Sequence, residues 1–378
     1  MKTLENKRIV LAVCGSIAAV ETIRLAHELR RRGAEVTAVM SPAAAGIIHP
    51  DALTYACGRP ALTKISGMVE HVVYCGEGGE ADLLVIAPAT ANTISKIACG
   101  IDDTIVTTFA TTALGRSLPI VLAPAMHESM YRHPAVKKNL ETLAGFGILV
   151  VPPRMEEQKA KIAGIEEICL YAERALLGGA LRGKKVLITS GSCREAVDSV
   201  RVLTTRSSGR MGREIALAAF RRGAEVTVVS NTAVHGAVPA VKNIAVESAA
   251  DMAAAVLANA DGADYYVSAA AISDFAPECS AGKIPSGGAL TLPLHPLPKL
   301  LPKLAGRGIQ IIGFKIGEDA EAAGQRLLAE PDVVLVAANY PETMGSSKGD
   351  YLLLQKGKTT PVAGDKAEIA EALWNAVL

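Results

Sequence analysis

Aromatic residues are scarce in this chain: they make up 4% of its 378 residues, and only one of them is tryptophan. A core of useful size must therefore come from Val, Ile, Leu and Ala, and half of the sequence is hydrophobic. That composition suits parallel sheets buried on both faces by helices. Net charge is nearly absent too, with 39 basic against 38 acidic residues and a balance of +1. This argues against nucleic acid or a charged membrane surface as the main partner, and any anionic ligand must be held by a local site. Paired cysteines are missing. The seven present (Cys14, Cys57, Cys75, Cys99, Cys169, Cys193, Cys279) are scattered without a CxxC, which excludes the common zinc and thioredoxin-type patterns. No apolar run reaches bilayer-spanning length. Met1 leads within a few residues to RIVLAV, leaving no room for a signal core. These absences predict a soluble, reduced, cytoplasmic protein with no membrane or nucleic-acid partner.

What is present is an internal echo. RRGAEVT occurs at residues 31–37 and again at 221–227, each time where a helical stretch stops at a glycine and a β-rich run begins. Upstream of each copy lies a strand, a small-residue turn and a helix: RIVLAVCGSIAA in one, KKVLITSGS and then SSGRMGREIALAAF in the other. The pattern predicts an α/β fold of two Rossmann-like domains in tandem, each a mainly parallel sheet flanked by helices. Residues 1–177 form the first domain, 178–185 (GGALRGKK) a linker, and 186–378 the second. In the first, RMEEQKAKIAG is charged and lacks a clear period, so it reads as a mobile loop. In the second, ALTLPL reads as strand-like, whereas the proline-rich PLHPLPKLLPKL cannot be a central strand.

Chemistry-bearing residues cluster after the expected strands of the first domain, where ligand crevices of open α/β sheets lie. The turn Gly15-Ser16-Ile17-Ala18 either holds a phosphate on its backbone N–H groups or simply packs tightly. In APATANTISKIA, Thr90 and Asn92 either face a ligand or cap the following helix. APAMHESM repeats the pattern one strand later, placing Met126, His127 and Met130 at the sheet's carboxyl edge.

Together these strings resemble the flavin-containing cysteine decarboxylases over residues 5–177, specifically the phosphopantothenoylcysteine decarboxylase half of the bifunctional coenzyme A enzymes. PAMHESM and EEQKAKIA are similar to the archaeal branch. The resemblance implies a flavodoxin-like domain with FMN surrounded by Gly15–Ala18, Ser41, Ala89, Thr90, Asn92 and the pair Thr107 and Thr108. It implies a catalytic role for His71 in MVEHVVY. It also implies a redox-assisted reaction: the cysteinyl thiol is oxidised to a thioaldehyde, CO₂ is lost, and the enethiolate is re-reduced. Two positions depart from the family. His127 stands where bacterial and eukaryotic relatives carry an Asn that contacts the cysteinyl carboxylate. The flap RMEEQKAKIAG lacks the relatives' proton-donating cysteine, leaving Lys159 or Lys161 to take its place. Cys169 lies past the flap in an apparent helix and reads as a buried small hydrophobe.

In the second half, SSGRMG (207–212) opens a helix with two hydroxyls, two glycines and a cation, which are materials for gripping a phosphate. Asp274 follows a buried strand, and Lys283 lies in a Gly/Pro/Ser loop. Each alone is an ordinary cap or surface charge. In combination, residues 181–378 resemble the phosphopantothenate–cysteine ligases, in which CTP (or ATP) with Mg2+ activates the carboxylate of 4′-phosphopantothenate for attack by cysteine. The resemblance places Ala270, Asp274, Lys283 and Phe314 around the nucleotide, with Lys283 catalytic, and Thr205, Ser207, Ser208, Gly209 and Arg210 around phosphopantothenate. Thr205 stands where relatives have Asn, and Lys315 is the candidate to replace lysines missing from QRLLAEP. No metal ligand is identified. The assembly implied is a homo-oligomer, trimeric through the first domain and dimeric through the second. Two other readings stay open: a flavin-binding regulatory or assembly protein, and an enzyme retaining one of the two activities.

Overall fold

The computed structural model describes residues 2–232 and 236–378. The chain divides into two compact units, residues 1–178 and 179–378.

The first unit is built on five parallel strands: β1 Arg8–Val13, β2 Glu35–Met40, β3 Leu83–Ala89, β4 Ile120–Pro124 and β5 Leu149–Val150. Their order is β2-β1-β3-β4-β5, the flavodoxin-like arrangement with a switch point between β1 and β3. Side chains alternate between two cores. Ile9, Leu11 and Val13 join one face with Leu83 and Val85, while Val10 and Ala12 join the other with Leu84 and Ile86. Both faces are therefore buried, and the near-continuous aliphatic runs follow from that. The helices that matter for the site are α1 Thr22–Arg31, α2 Glu70–Cys75, α3 Ala91–Ala98, α4 Ile105–Gly115 and α5 Ile165–Leu177.

In the second unit, β6 Lys185–Ser190, β7 Glu225–Ser230, β8 Lys242–Ala245, β9 Tyr265–Ser268, β10 Gln310–Ile316 and β11 Val333–Asn339 run parallel in the order β8-β7-β6-β9-β10-β11. This is the dinucleotide-fold order. The antiparallel strands β12 Lys348–Gln355 and β13 Lys358–Asp365 extend one edge. Helices α6 Arg210–Arg221 and α7 Lys366–Val377 pack together, with the buried Trp374 indole donating to the Ile215 carbonyl at 3.1 Å.

The echo of RRGAEVT extends beyond the residues that repeat. Gly33 and Gly223 both adopt left-handed backbone, at φ +100° and +99°. A Cβ on either would press on the chain entering the first strand, at Glu5 or Arg182, so glycine is required twice over. The preceding arginine carbonyl accepts a bond from Leu4 N–H in one unit and Leu181 N–H in the other, at 2.8 and 2.9 Å. Both leucines are fully buried. Asp82 and Asp264 then accept from the first backbone N–H of β1 and β6, at 2.7 and 2.8 Å. The two units are built to one local plan.

Two expectations need correction. RMEEQKAKIAG is no irregular loop: Arg154–Glu156 and Lys159–Lys161 form a hairpin, and its second strand pairs with Met126–His127. The two-residue turn is Glu157–Gln158, both left-handed at φ +51° and +57°. That is the primed geometry tight hairpins require, made here without the usual Asn or Gly. Gln158→Gly is accordingly expected to stabilise the hairpin by about 1 kcal/mol by removing left-handed strain. Slower amide exchange across Arg154–Lys161 would show it; unchanged exchange would show the turn unstrained. Secondly, ALTLPL lies outside any strand over most of its length. The strand is Leu294–Pro296, which pairs with Phe275–Pro277 as a separate two-stranded ribbon. Proline cannot donate to a ladder, so this segment stays out of the main sheet.

Candidate functional site

In the first unit the expected flavin residues gather along the carboxyl edge of the sheet. Gly15, Ser16, Ile17 and Ala18 follow β1, where the Ser16 hydroxyl accepts from Ala18 N–H. Ser41 follows β2, is buried, and caps the next short helix through Ala44 N–H at 3.2 Å. Ala89 ends β3 and Thr90 caps α3, bonding Thr93 N–H at 3.3 Å. Asn92 is exposed on that helix's first turn. Backbone bonds tie these turns edge to edge: Ser41 N–H to Val13, Cys14 N–H to Pro88, and Ala125 N–H to Ala89. Thr107 and Thr108 sit in the first turn of α4. The Thr107 hydroxyl closes the capping box with Thr104, and that of Thr108 bonds Asp102.

His71 rides on the short helix α2, held at both ends. Before it, Glu70 accepts from the backbone and hydroxyl of Ser66 at 2.8 and 2.5 Å, and Val69 takes a left-handed φ of +47°. A β-branched residue there is a genuine outlier. After it, the Arg116 guanidinium donates to the carbonyls of Tyr74, Gly76, Gly79 and Ala81 at 3.0–3.4 Å. Among the described residues the buried Nδ1 of His71 has no hydrogen-bond partner. A buried ring nitrogen left unpaired is costly and points to a ligand or substrate that completes it.

Met126 and His127 follow β4 and pair with Ala160 and Lys159 of the hairpin, so the flap is hydrogen-bonded to the site's rim. Met130 is half-exposed in the helical turn Glu128–Tyr131. Register separates the two candidate lysines. Lys161 is ion-paired with Glu156 and Glu157 at 3.3 and 2.9 Å, and these partners push its ammonium up. Lys159 lies opposite His127 and makes no ion pair among the described residues. Burial raises the Cys169 thiol to about 12, so it is inert at neutral pH.

In the second unit two clefts adjoin at the carboxyl edge of the sheet. The larger has about 1710 Å³ of open space and is lined by Thr205, Ser268, Ala270–Asp274, Lys299, Phe314 and Lys315 among others. The smaller, about 650 Å³, is lined by Ser207–Gly212, Asn339, Tyr351 and Lys366. Ala270, Ala271, Phe314, Lys315, Ile316 and Met344 border both. The Thr205 hydroxyl is buried and, among the described residues, unpartnered. Asp274 is ion-paired with Lys299. Lys283 lines neither cleft and sits exposed in its loop. That loop is anchored by Asp198, which accepts from Ile284 N–H at 3.1 Å and pairs with Arg201 at 2.5 Å. Burial raises the Asp198 carboxyl, but bonds from Val200, Arg201 and Ile284 outweigh it and hold it at about 2. Lys299 and Lys366 were not among the residues expected from sequence. Among the described residues no cluster of three or more His, Cys, Asp or Glu could hold a metal ion, and no helix is long and apolar enough to cross a membrane.

Residues 1–176 match the Flavoprotein family and residues 181–378 the DNA/pantothenate metabolism flavoprotein C-terminal domain. The coenzyme A biosynthesis bifunctional protein CoaBC of Thermococcus kodakarensis is 45% identical over 391 aligned residues, spanning all of this chain and 96% of the relative. The chain belongs to the CoaBC family. The CoaBC of Methanocaldococcus jannaschii is 36% identical, over 98% of this chain and 93% of that protein. A crystal structure of the C-terminal domain of a CoaBC aligns with a TM-score of 0.45 at 29% identity, covering 52% of this chain and 95% of that one.

Proposed function

We propose that each unit of this bifunctional enzyme carries one of two consecutive steps of coenzyme A biosynthesis. The second unit joins cysteine to 4′-phosphopantothenate through an acyl-nucleotide, and the first decarboxylates the product to 4′-phosphopantetheine. The observation that carries this reading is the pairing of full-length CoaBC similarity with a poised edge in each unit: an unpartnered buried His71 nitrogen in one and an unpartnered buried Thr205 hydroxyl in the other.

The first unit's edge fits FMN. Ser16, Ser41 and Thr90 offer hydroxyls, Asn92 an exposed amide, and Ile17, 78% exposed, an apolar surface beside them. Bound FMN supplies the two-electron exchange that makes the cysteinyl carboxylate a leaving group. The protein does the rest. His71 holds or takes a proton at the substrate through its free ring nitrogen, and the Arg116 clamp keeps the helix that carries it in place. His127 donates a hydrogen bond to the substrate carboxylate. Lys159, opposite it on the flap, supplies the proton that the relatives' flap cysteine gives.

In the second unit a carboxylate cannot be attacked by an amine until its oxygen is made a leaving group. CTP with Mg2+ does this, the nucleotide lying in the larger cleft against Ala270, Asp274 and Phe314. Lys283, exposed in its loop, is assigned to the phosphates, and Lys315, bordering both clefts, neutralises charge. The chain assembles into homo-oligomers, a reading supported by exposed Met68, Val69, Val72 and Val73 in and beside α2.

Separate assays test the division of labour. Lys283→Gln is expected to lower the formation of 4′-phosphopantothenoylcysteine from CTP, cysteine and 4′-phosphopantothenate by about 100-fold, as loss of a charge-assisted phosphate contact does. Decarboxylation of supplied 4′-phosphopantothenoylcysteine should continue unchanged. Normal ligation by that variant would show that the lysine stays outside the site.

A further inference from the structure

The smaller cleft of the second unit contains a charge that nothing in the fold explains. Lys366 is the first residue of α7, 7% exposed, and lines this cleft together with Ser207, Ser208, Gly209 and Arg210. Among the described residues its ammonium has no hydrogen-bond acceptor and no acidic partner. Its backbone N–H is spent on the Ser347 carbonyl at 3.0 Å. The nearby charge acting on it is another cation, Arg210, whose own guanidinium, among the described residues, bonds only the Gly345 carbonyl at 3.1 Å. Burial and Arg210 together push the Lys366 ammonium below its ordinary value. Lys366, largely covered, lies beside this exposed cation with no anion between them, and an anion entering the cleft would relieve the repulsion.

The same cleft holds the N-terminus of α6, a helix of twelve residues. Gly209, its cap, has a left-handed φ of +69° and makes no side-chain capping bond, so the first backbone N–H groups of α6 have no side-chain acceptor from that residue. Ser207 and Ser208 add hydroxyl donors. The hydroxyls, helix N-terminus, guanidinium and ammonium form a donor set for a compact, multiply charged oxyanion. A carboxylate would leave half of these donors unused.

We infer that Lys366, with Arg210 and the N-terminus of α6, anchors a phosphate group of one of the ligase's phosphorylated substrates. This rests on the ligase reading of the second unit and adds to it a residue from the far end of the chain. The shared chemistry is a phosphate, brought either by the nucleotide or by the terminal phosphate of 4′-phosphopantothenate. Because this cleft borders the larger one at Ala270 and Lys315, the anchored group fixes how far the rest of its substrate reaches toward the other.

The test is steady-state ligation by Lys366→Met and Lys366→Arg in the full chain, with each substrate varied in turn. The methionine variant is expected to raise KM for one phosphorylated substrate by about 10- to 100-fold, the loss of a charged hydrogen bond. KM for cysteine should be unchanged, and arginine should restore part of the loss. A rise for 4′-phosphopantothenate, with discrimination against unphosphorylated pantothenate reduced, assigns the terminal phosphate. A rise for CTP assigns the nucleotide. Unchanged KM for both overturns the inference. If the methionine variant fails to fold, amine acetylation of the wild-type chain, followed by peptide mass spectrometry, decides the matter without it. Protection of Lys366 by CTP, pyrophosphate or 4′-phosphopantothenate supports the anchor, and labelling indifferent to all three overturns it. Because labelling reads binding alone, it separates failure of the anchor from failure of the ligase reading, which would show as wild-type protein that makes no adduct.

Discussion

His71→Asn is expected to lower decarboxylation of 4′-phosphopantothenoylcysteine by at least about 100-fold, the lower range for losing a positioned acid–base group. Asparagine is smaller than histidine but keeps a polar side chain on α2, and the Ser66–Glu70 contacts before it and the Arg116 clamp after it do not involve the imidazole, so both should survive. What disappears is the imidazole ring with its unpartnered nitrogen. The residues proposed to hold the flavin lie on other elements, after β1, β2 and β3 and in the first turn of α4, so the visible absorbance of bound FMN should persist. Ligation, proposed for the other compact unit, should be unaffected. A normal decarboxylation rate would remove His71 from the chemistry. Loss of flavin together with activity would instead make it a structural residue.

The second large effect concerns Gly212, in the first turn of α6. A Cβ built there would lie 2.4 Å from the Ser190 hydroxyl and 2.6 Å from the Ser190 Cβ, at the end of β6. Ser190 is itself buried and donates to the Gly209 carbonyl at 3.0 Å. Neither side can yield without moving the turn that carries Ser207–Arg210. Gly212→Ala is therefore expected to destabilise the second unit by about 1–3 kcal/mol, as overpacking does. It should lower ligation by more than about tenfold while leaving decarboxylation intact, because the helix N-terminus is displaced from its cleft. Adding Ser190→Gly removes the obstructing atoms and should recover a measurable part of both losses, which is the coupling expected of residues in direct contact. Additive losses in the double variant would show that the contact is not the cause.

Much of this architecture was legible because it depends on strong periodic signals. Aliphatic runs ending in small-residue turns marked β1, β3, β4 and β6, and the repeated RRGAEVT marked the helix-to-strand joints where Gly33 and Gly223 turn left-handed. The matching pairs Leu4 with Leu181 and Asp82 with Asp264 escaped notice, since single residues at unlike spacings carry no pattern. The flap hairpin was missed for a different reason. Its turn is formed by Glu157–Gln158, and a Glu-Gln pair without Asn or Gly gives no turn signal even though its backbone demands one. The carboxyl-edge residues of both units were legible as motifs because they follow buried strands. Lys366 was not, because its neighbours in space, Ser207–Arg210, lie on the other side of the sheet's whole sequence, and only the packing of α7 on α6 brings them together.

The central claim is that one chain performs both steps. Purified protein should be incubated with FMN, Mg2+, CTP, cysteine and 4′-phosphopantothenate, and the products followed by mass spectrometry. The account predicts transient 4′-phosphopantothenoylcysteine followed by accumulation of 4′-phosphopantetheine. Accumulation of the cysteine adduct alone would contradict it in the first unit, and absence of both products with flavin bound would contradict it altogether.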